Sequence, residues 1–166
     1  MNNIYTLSSV VKVRLIFQHL CVNPNKILYF SDKFHKLAQG DGAGILFICT
    51  DNKTALLLQR STEVSEPGTW GLPGGQIKPG EKPYKAAIRE AKEELGALPE
   101  IGKLIDNITN KNKQSKYHVF VIDIPKEDKK EWERKISLNY ENIKYAWFSL
   151  GELPENLHSP IKPILE

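Results

Sequence analysis

The chain has 166 residues, with 23 Lys and Arg against 20 Asp and Glu and a formal net charge of +3. At 40% hydrophobic and 26% charged it has the make-up of one globular domain with a real core. Two cysteines are too few for a disulfide framework, no apolar run approaches the roughly 18 residues of a membrane span, and no block of basic residues forms a nucleic-acid arm. The mild positive charge suits an anionic small molecule, and nucleic acid is not an expected partner. Lys12 and Arg14 break the apolar segment Val10–Phe17, so no secretory leader is expected. The expected setting is the cytoplasm, where Cys21 and Cys49 would stay reduced.

Residues 1–40 read as an N-terminal extension. Val11, Val13, Leu15 and Phe17 alternate as in a strand, while Val10, Val13, Phe17 and Leu20 fit a helical stripe, so periodicity leaves both open. Its expected role is packing, dimer formation or a lid that selects substrate. His19 and His35 have no metal spacing. Ala43–Thr50 and Thr54–Arg60 are apolar runs flanking the turn Asp51–Lys53, and they predict two strands covered on both faces. Ser61–Gly68 reads as a polar loop. Trp70–Gly75 is rich in Gly and Pro, which lets backbone approach a metal or phosphate closely.

A helix is predicted over Pro83–Leu95. Pro83 suits its first turn, Glu81 lies near its positive end, and Gly96 with Pro99 ends it. Strands follow at Ile101–Thr109 and Lys116–Ile124, the second with Tyr117, Val119 and Val121 alternating. Asp128–Ile136 predicts a short helix, Tyr145–Leu150 a last strand, and a short helix closes the chain near Glu166.

A turn of about 100° per residue sorts the central helix into faces. Tyr84, Ile88, Ala91 and Leu95 form an apolar stripe, and Lys85, Arg89 and Lys92 a basic flank. Glu90, Glu93 and Glu94 fall together, with Ala86 and Ala87 among them, which would leave room on the acidic flank. Like charges at this spacing repel. A hard divalent cation bound by carboxylate oxygens would relieve that repulsion, and Mg²⁺ or Mn²⁺ is the cofactor this pattern suggests. The structural alternative is a solvated acidic face.

Gly75, Glu81, Arg89-Glu90, Ala91, Glu93-Glu94, Gly96 and Ala97 follow one spacing over 23 residues, with seven specified identities. This segment resembles the signature of the Nudix, or MutT-like, hydrolases. The one departure is alanine at both apolar positions, where a larger aliphatic residue is usual. Trp147–Pro154 also resembles the closing segment of such domains, and the resemblance covers roughly residues 41–160 of a domain expected at 41–166.

The resemblance implies an α/β fold, an α/β/α sandwich whose mixed β-sheet is flanked by helices. It implies a metal-dependent hydrolase acting on a nucleoside diphosphate derivative: ADP-ribose, a nucleotide sugar or a modified nucleoside triphosphate. The competing reading is a weakly catalytic nucleotide sensor or regulator. By position, Glu93 and Glu94 resemble the main metal ligands, with Glu90 and the Gly74 carbonyl as further ones. Glu81 would orient these groups, and Arg89 would brace a signature glutamate. Glu141, six residues before Trp147, is the candidate distal base or ligand. Arg60, Trp70, Gly75 and Tyr145 are the candidate substrate contacts, with Tyr117 and Trp147 further candidates for base stacking. The expected partner is the small-molecule substrate, with a homodimer through residues 1–40 as a second expectation.

Overall fold

A computed structural model describes residues 40–111 and 115–165. The readings made for residues 1–39 lie outside the described residues.

The apolar runs become the central strands. β1 (Gly42–Cys49) and β2 (Thr54–Arg60) flank a 3-10 turn at Thr50–Asn52, where Lys53 adopts a left-handed φ of 55°. Two short strands follow, β3 (Trp70–Gly71) and β4 (Gly74–Gln76). Helix α1 spans Pro83–Leu95, residue for residue as predicted. β5 (Lys103–Lys111), β6 (Lys116–Asp123), α2 (Lys126–Glu133), β7 (Asn142–Ser149) and α3 (Lys162–Leu165) complete the chain. β5, α2 and β7 are each displaced by a few residues from their sequence expectations.

The sheet has seven strands in the order β3-β2-β1-β6-β5, with β4 pairing β1 and β7 pairing β2. β1 and β6 run parallel, and the other pairings are antiparallel. Strand alternation splits β1 between two cores. Ile45 and Phe47 face α1 and Trp132 of α2. Leu46 and Ile48 face Leu157, Ile161 and Leu165 of the C-terminal segment. A mixed sheet between two helical layers is the expected α/β/α sandwich. No helix among the described residues is long and apolar enough to cross a membrane.

The faces of α1 differ from the wheel reading. Ala86 and Ala87 are fully buried against Ala43 and Ile45 and leave no open space beside the glutamates. Tyr84, assigned to the apolar stripe, is 41% exposed. Alanine at 86, 87 and 91 brings the helix axis close to the sheet, and this proximity shifts the docking face toward the acidic flank. Leu95 closes the contact, and Leu95→Ala would cost about 2–5 kcal/mol by leaving a cavity.

Candidate active site

The site is built where three backbone segments meet at one end of the sheet. β1 pairs with β4 through Gly42↔Gln76, Ala43↔Gly75 and Gly44↔Gly74. That pairing sets the Gly74-Gly75 backbone beside the acidic flank of α1. The loop before β7 then wraps the C-terminal end of α1. Ser137 N–H donates to the Leu95 carbonyl at 2.9 Å, and Asn139 N–H to the Glu94 carbonyl at 3.2 Å. These contacts serve helix-end acceptors that have no partner within the helix. They also deliver Glu141 and Asn142 to the glutamates.

Glu94 is the interior member of the cluster, only 6% exposed. Its Oε1 accepts from Gly74 N–H at 2.8 Å, and its Oε2 accepts from Asn142 Nδ2 at 2.7 Å. Burial pushes its carboxyl up to about 7, the two hydrogen bonds oppose that rise, and the charges of Glu141 and Glu90 add to it. The Glu141 backbone is fixed at both ends. Its N–H donates to Asn139 Oδ1 at 3.1 Å, and its carbonyl accepts from Ser61 N–H at 2.8 Å.

Arg89 organises the outer carboxylates. It forks onto Glu81, with Nε to Oε1 and Nη2 to Oε2 both at 2.9 Å. Nη1 reaches Glu90 Oε1 at 2.7 Å and Glu93 Oε2 at 3.4 Å, while Nη2 also meets the Gln76 carbonyl at 3.1 Å. The Arg89 hydrogen bonds, helped by Lys78 N–H, hold the Glu81 carboxyl down at about 2. The same pairing raises the Arg89 guanidinium further above its ordinary range. Glu90 lies flat against Gly75: a Cβ there would sit 2.6–2.8 Å from its carboxylate. The Glu93 side chain is 54% exposed.

Three carboxylates (Glu81, Glu90 and Glu93) thus meet one guanidinium, and the charges of Glu90 and Glu141 act on the interior Glu94. The donors are all oxygen, and the Gly74 carbonyl belongs to the same loop. Such a set suits a hard cation. Among the described residues, no three potential ligands already converge on one point. The arrangement therefore fits Mg²⁺ or Mn²⁺ bound by one or two carboxylates, with water and substrate completing the shell. It does not fit a closed protein cage.

Two of the predicted substrate contacts are engaged elsewhere. Trp70 is 7% exposed, in edge contact with Phe148 at 4.7 Å, so its ring is core and not a free stacking face. Tyr145 packs on the α1 face of the sheet and donates its hydroxyl to the Glu133 carbonyl at 3.3 Å. Strand alternation turns Tyr145 and Trp147 toward α2, away from the glycine loop. Arg60 does lie at this end of the sheet, beside a register shift at Gln59/Arg60. Its guanidinium braces the following loop, through Nε to the Ser65 carbonyl at 2.6 Å and Nη2 to Ser65 Oγ at 3.1 Å.

The sequence reading missed Asn142 and His158 and left Tyr117 as a stacking candidate. Asn142 carries no local signal, because its role depends on a carboxylate 48 residues away. His158 is held neutral: burial and the Arg60 charge push it down to about 4. The Tyr117 hydroxyl is pushed up, first by burial and then by the Glu94 charge, against the pull of Arg60.

Residues 38–166 match the family model for the NUDIX domain. The chain belongs to the Nudix hydrolase family. This Nudix chain is 28% identical over 121 residues to diphosphoinositol polyphosphate phosphohydrolase 2 of Homo sapiens, covering 72% of this chain and 64% of that protein. It is 30% identical over 122 residues to diphosphoinositol polyphosphate phosphohydrolase 3-beta of Bos taurus, covering 72% and 71%. The chain thus spans about 64% of the length of the first curated relatives it matches. In fold it resembles a C. elegans Ap4A hydrolase binary complex, with a TM-score of 0.60 and 24% identity over 75% of this chain and 92% of that one.

Proposed function

We propose that this Nudix protein is a divalent-metal-dependent hydrolase of phosphoanhydride bonds in a small-molecule diphosphate. The observation that carries this reading is the pairing of two signature carboxylates with two glycines: Glu94 with Gly74 N–H and Glu90 against Gly75. Acidic side chains and close-approaching backbone share one surface there.

The expected cofactor is Mg²⁺ or Mn²⁺, held by Glu93, Glu90 and Glu94 with the Gly74 carbonyl. When bound it would neutralise phosphate charge and acidify water. The protein's own part is positional. Gly74 and Asn142 fix Glu94 in the interior. Arg89 holds Glu81 and Glu90 in one orientation, so neither carboxylate must reorganise during the reaction. Glu141 accepts the proton of the attacking water. The water oxygen forms the new bond to phosphorus, the bridging P–O bond breaks, and the leaving phosphate departs with its oxygen.

The substrate class is a diphosphate carrying a bulky organic group. Nucleoside diphosphate derivatives remain our first choice. The names of the relatives bring diphosphoinositol polyphosphates and diadenosine tetraphosphate into the same class. A cytoplasmic setting belongs to this reading, with Cys49 as a buried free thiol.

The test is a phosphate-release panel with Mg²⁺ or Mn²⁺ over ADP-ribose, nucleotide sugars, nucleoside triphosphates, diadenosine tetraphosphate and a diphosphoinositol polyphosphate. Turnover is expected for at least one class. Glu93→Gln, at a half-exposed position, is expected to lower it without changing the melting temperature. Turnover unaffected by both Glu93→Gln and Glu94→Gln would sink the assignment.

A further inference from the structure

Tyr117 is the second residue of β6, and its ring lies across the glycines of β1 and β4. A Cβ on Gly42 would stand 2.7 Å from Tyr117 Cδ2, one on Gly44 would stand 2.6 Å from the hydroxyl oxygen, and one on Gly74 would stand 3.0 Å from it. Three glycines from two strands thus form a slot that this side chain fills. The register explains the fit, since Gly42 pairs with Tyr117 in the parallel β1–β6 ladder and Gly44 pairs with Gly74 in the antiparallel β1–β4 ladder.

The slot sets the hydroxyl at a distinctive point. Gly74 meets the hydroxyl on one side and gives its N–H to Glu94 on the other. The phenol end therefore reaches the same glycine that anchors the innermost carboxylate. Arg60, Glu90 and Glu94 are all close enough for their charges to act on it. The ring packs against the core that contains Leu46 and Val119. The hydroxyl has no hydrogen-bond partner among the described residues. It is also absent from the sealed polar atoms that lack a partner among the described residues, which are Asp106 Oδ2 and Trp147 Nε1. Tyr117 is half-buried as a residue, and burial is the main influence on its hydroxyl, which lies deep in the glycine slot.

An O–H donor at a glycine-lined site has nothing to serve in the free protein. Its carboxylate neighbour Glu94 instead accepts from Gly74 and Asn142. A group rich in acceptor oxygens would satisfy it, and a phosphate is such a group. We infer that Tyr117 is a substrate-positioning residue whose hydroxyl donates to a phosphoryl oxygen of the bound diphosphate. This rests on the diphosphate-hydrolase reading and deepens it. It also replaces base stacking for Tyr117, because the ring is seated on the glycine strands by packing while the hydroxyl reaches the site.

The experiment uses the full chain, Tyr117→Phe and Tyr117→Leu, with methylenediphosphonate as a non-hydrolysable probe. Its dissociation constant is measured by titration calorimetry in Mg²⁺, alongside the melting temperature. Tyr117→Phe keeps the ring and is expected to weaken the probe about 10-fold or more, with the melting temperature unchanged. KM for the turned-over substrate is expected to rise by a similar factor. Wild-type affinity in Tyr117→Phe with a loss only in Tyr117→Leu would make the residue a packing element and overturn the inference. Absence of probe binding by the wild type would overturn it as well. Turnover by the wild type with unchanged probe binding in Tyr117→Phe sinks only the tyrosine. Probe binding lost in Tyr117→Phe, in a protein that hydrolyses nothing, sinks only the hydrolase reading.

Discussion

The side-chain amide of Asn142 donates to Glu94 Oε2 at 2.7 Å, joining the start of β7 to the last turn of α1. Both residues are buried, at 8% and 6% exposure. Removing the amide would strand a buried carboxylate, which costs about 1–3 kcal/mol. Asn142→Leu should show a loss of that size in urea denaturation. Asn142→Asp should lose more, because it sets a second carboxylate at hydrogen-bond distance.

The buried Glu94 and the partly buried His158 should tilt stability with pH in opposite directions. Glu94 is raised from 4.5 to about 7, so the folded state binds its proton more tightly. Its contribution is full below 4.5 and is lost as pH rises through about 7. His158 is lowered from 6.5 to about 4, so its contribution is full above 6.5 and is lost as pH falls through about 4. In metal-free buffer, Glu94→Gln should lose more stability relative to the wild type at about pH 5 than at pH 7, and His158→Gln the reverse. Urea midpoints at the two pH values check this. Equal slopes in both variants would refute it.

Gly74 and Gly75 should respond differently to alanine. At Gly74 a Cβ meets backbone, the Ala43 carbonyl oxygen and the Gly44 Cα, both at 2.5 Å. Neither can move alone, so Gly74→Ala should destabilise on the order of 3 kcal/mol. At Gly75 the obstacle is the carboxylate end of Glu90, a side chain that can turn aside at the cost of its contact with Arg89. Gly75→Ala should therefore fold with little stability change while displacing Glu90, and kcat should fall about 10-fold or more. Melting temperature and kcat, measured together, separate the two cases.

Arg89→Lys retains the charge and removes the fork. Lysine cannot reach Glu81, Glu90 and the Gln76 carbonyl from one planar group. Turnover should drop about 10- to 100-fold, as when a residue orienting a metal ligand is lost. A matching drop in Glu81→Gln would indicate that the two act as one unit, and the double variant would then add little. Wild-type turnover in Arg89→Lys would show that the fork is dispensable.

Much of the site was legible because it is local. Pro83, Gly96 and Pro99 bound α1 at the residues where the helix begins and ends. The Gly75–Ala97 spacing marks the family that the domain match identifies. The expectation that Arg89 braces a signature glutamate was also local, while its pairing with Glu81, eight residues earlier and outside the helix, is a contact of the folded loop. The strands β1 and β2 were equally plain as apolar runs.

The sequence by itself determined the helix, its order of charges and the glycines beside it, since capping and helical periodicity act within a few residues. Only the tertiary structure decided which flank of α1 is buried. The sheet presents Ala43 and Ile45 to the helix, and small residues at 86, 87 and 91 draw it in until Glu94 goes under cover. A buried carboxylate then needs partners, and these come from distant chain: Gly74, 20 residues away, and Asn142, 48 residues away. The Tyr117 slot has the same origin, because two ladders in different registers bring its three glycines together. No local pattern encodes such contacts, because each partner becomes useful only once the sheet has formed.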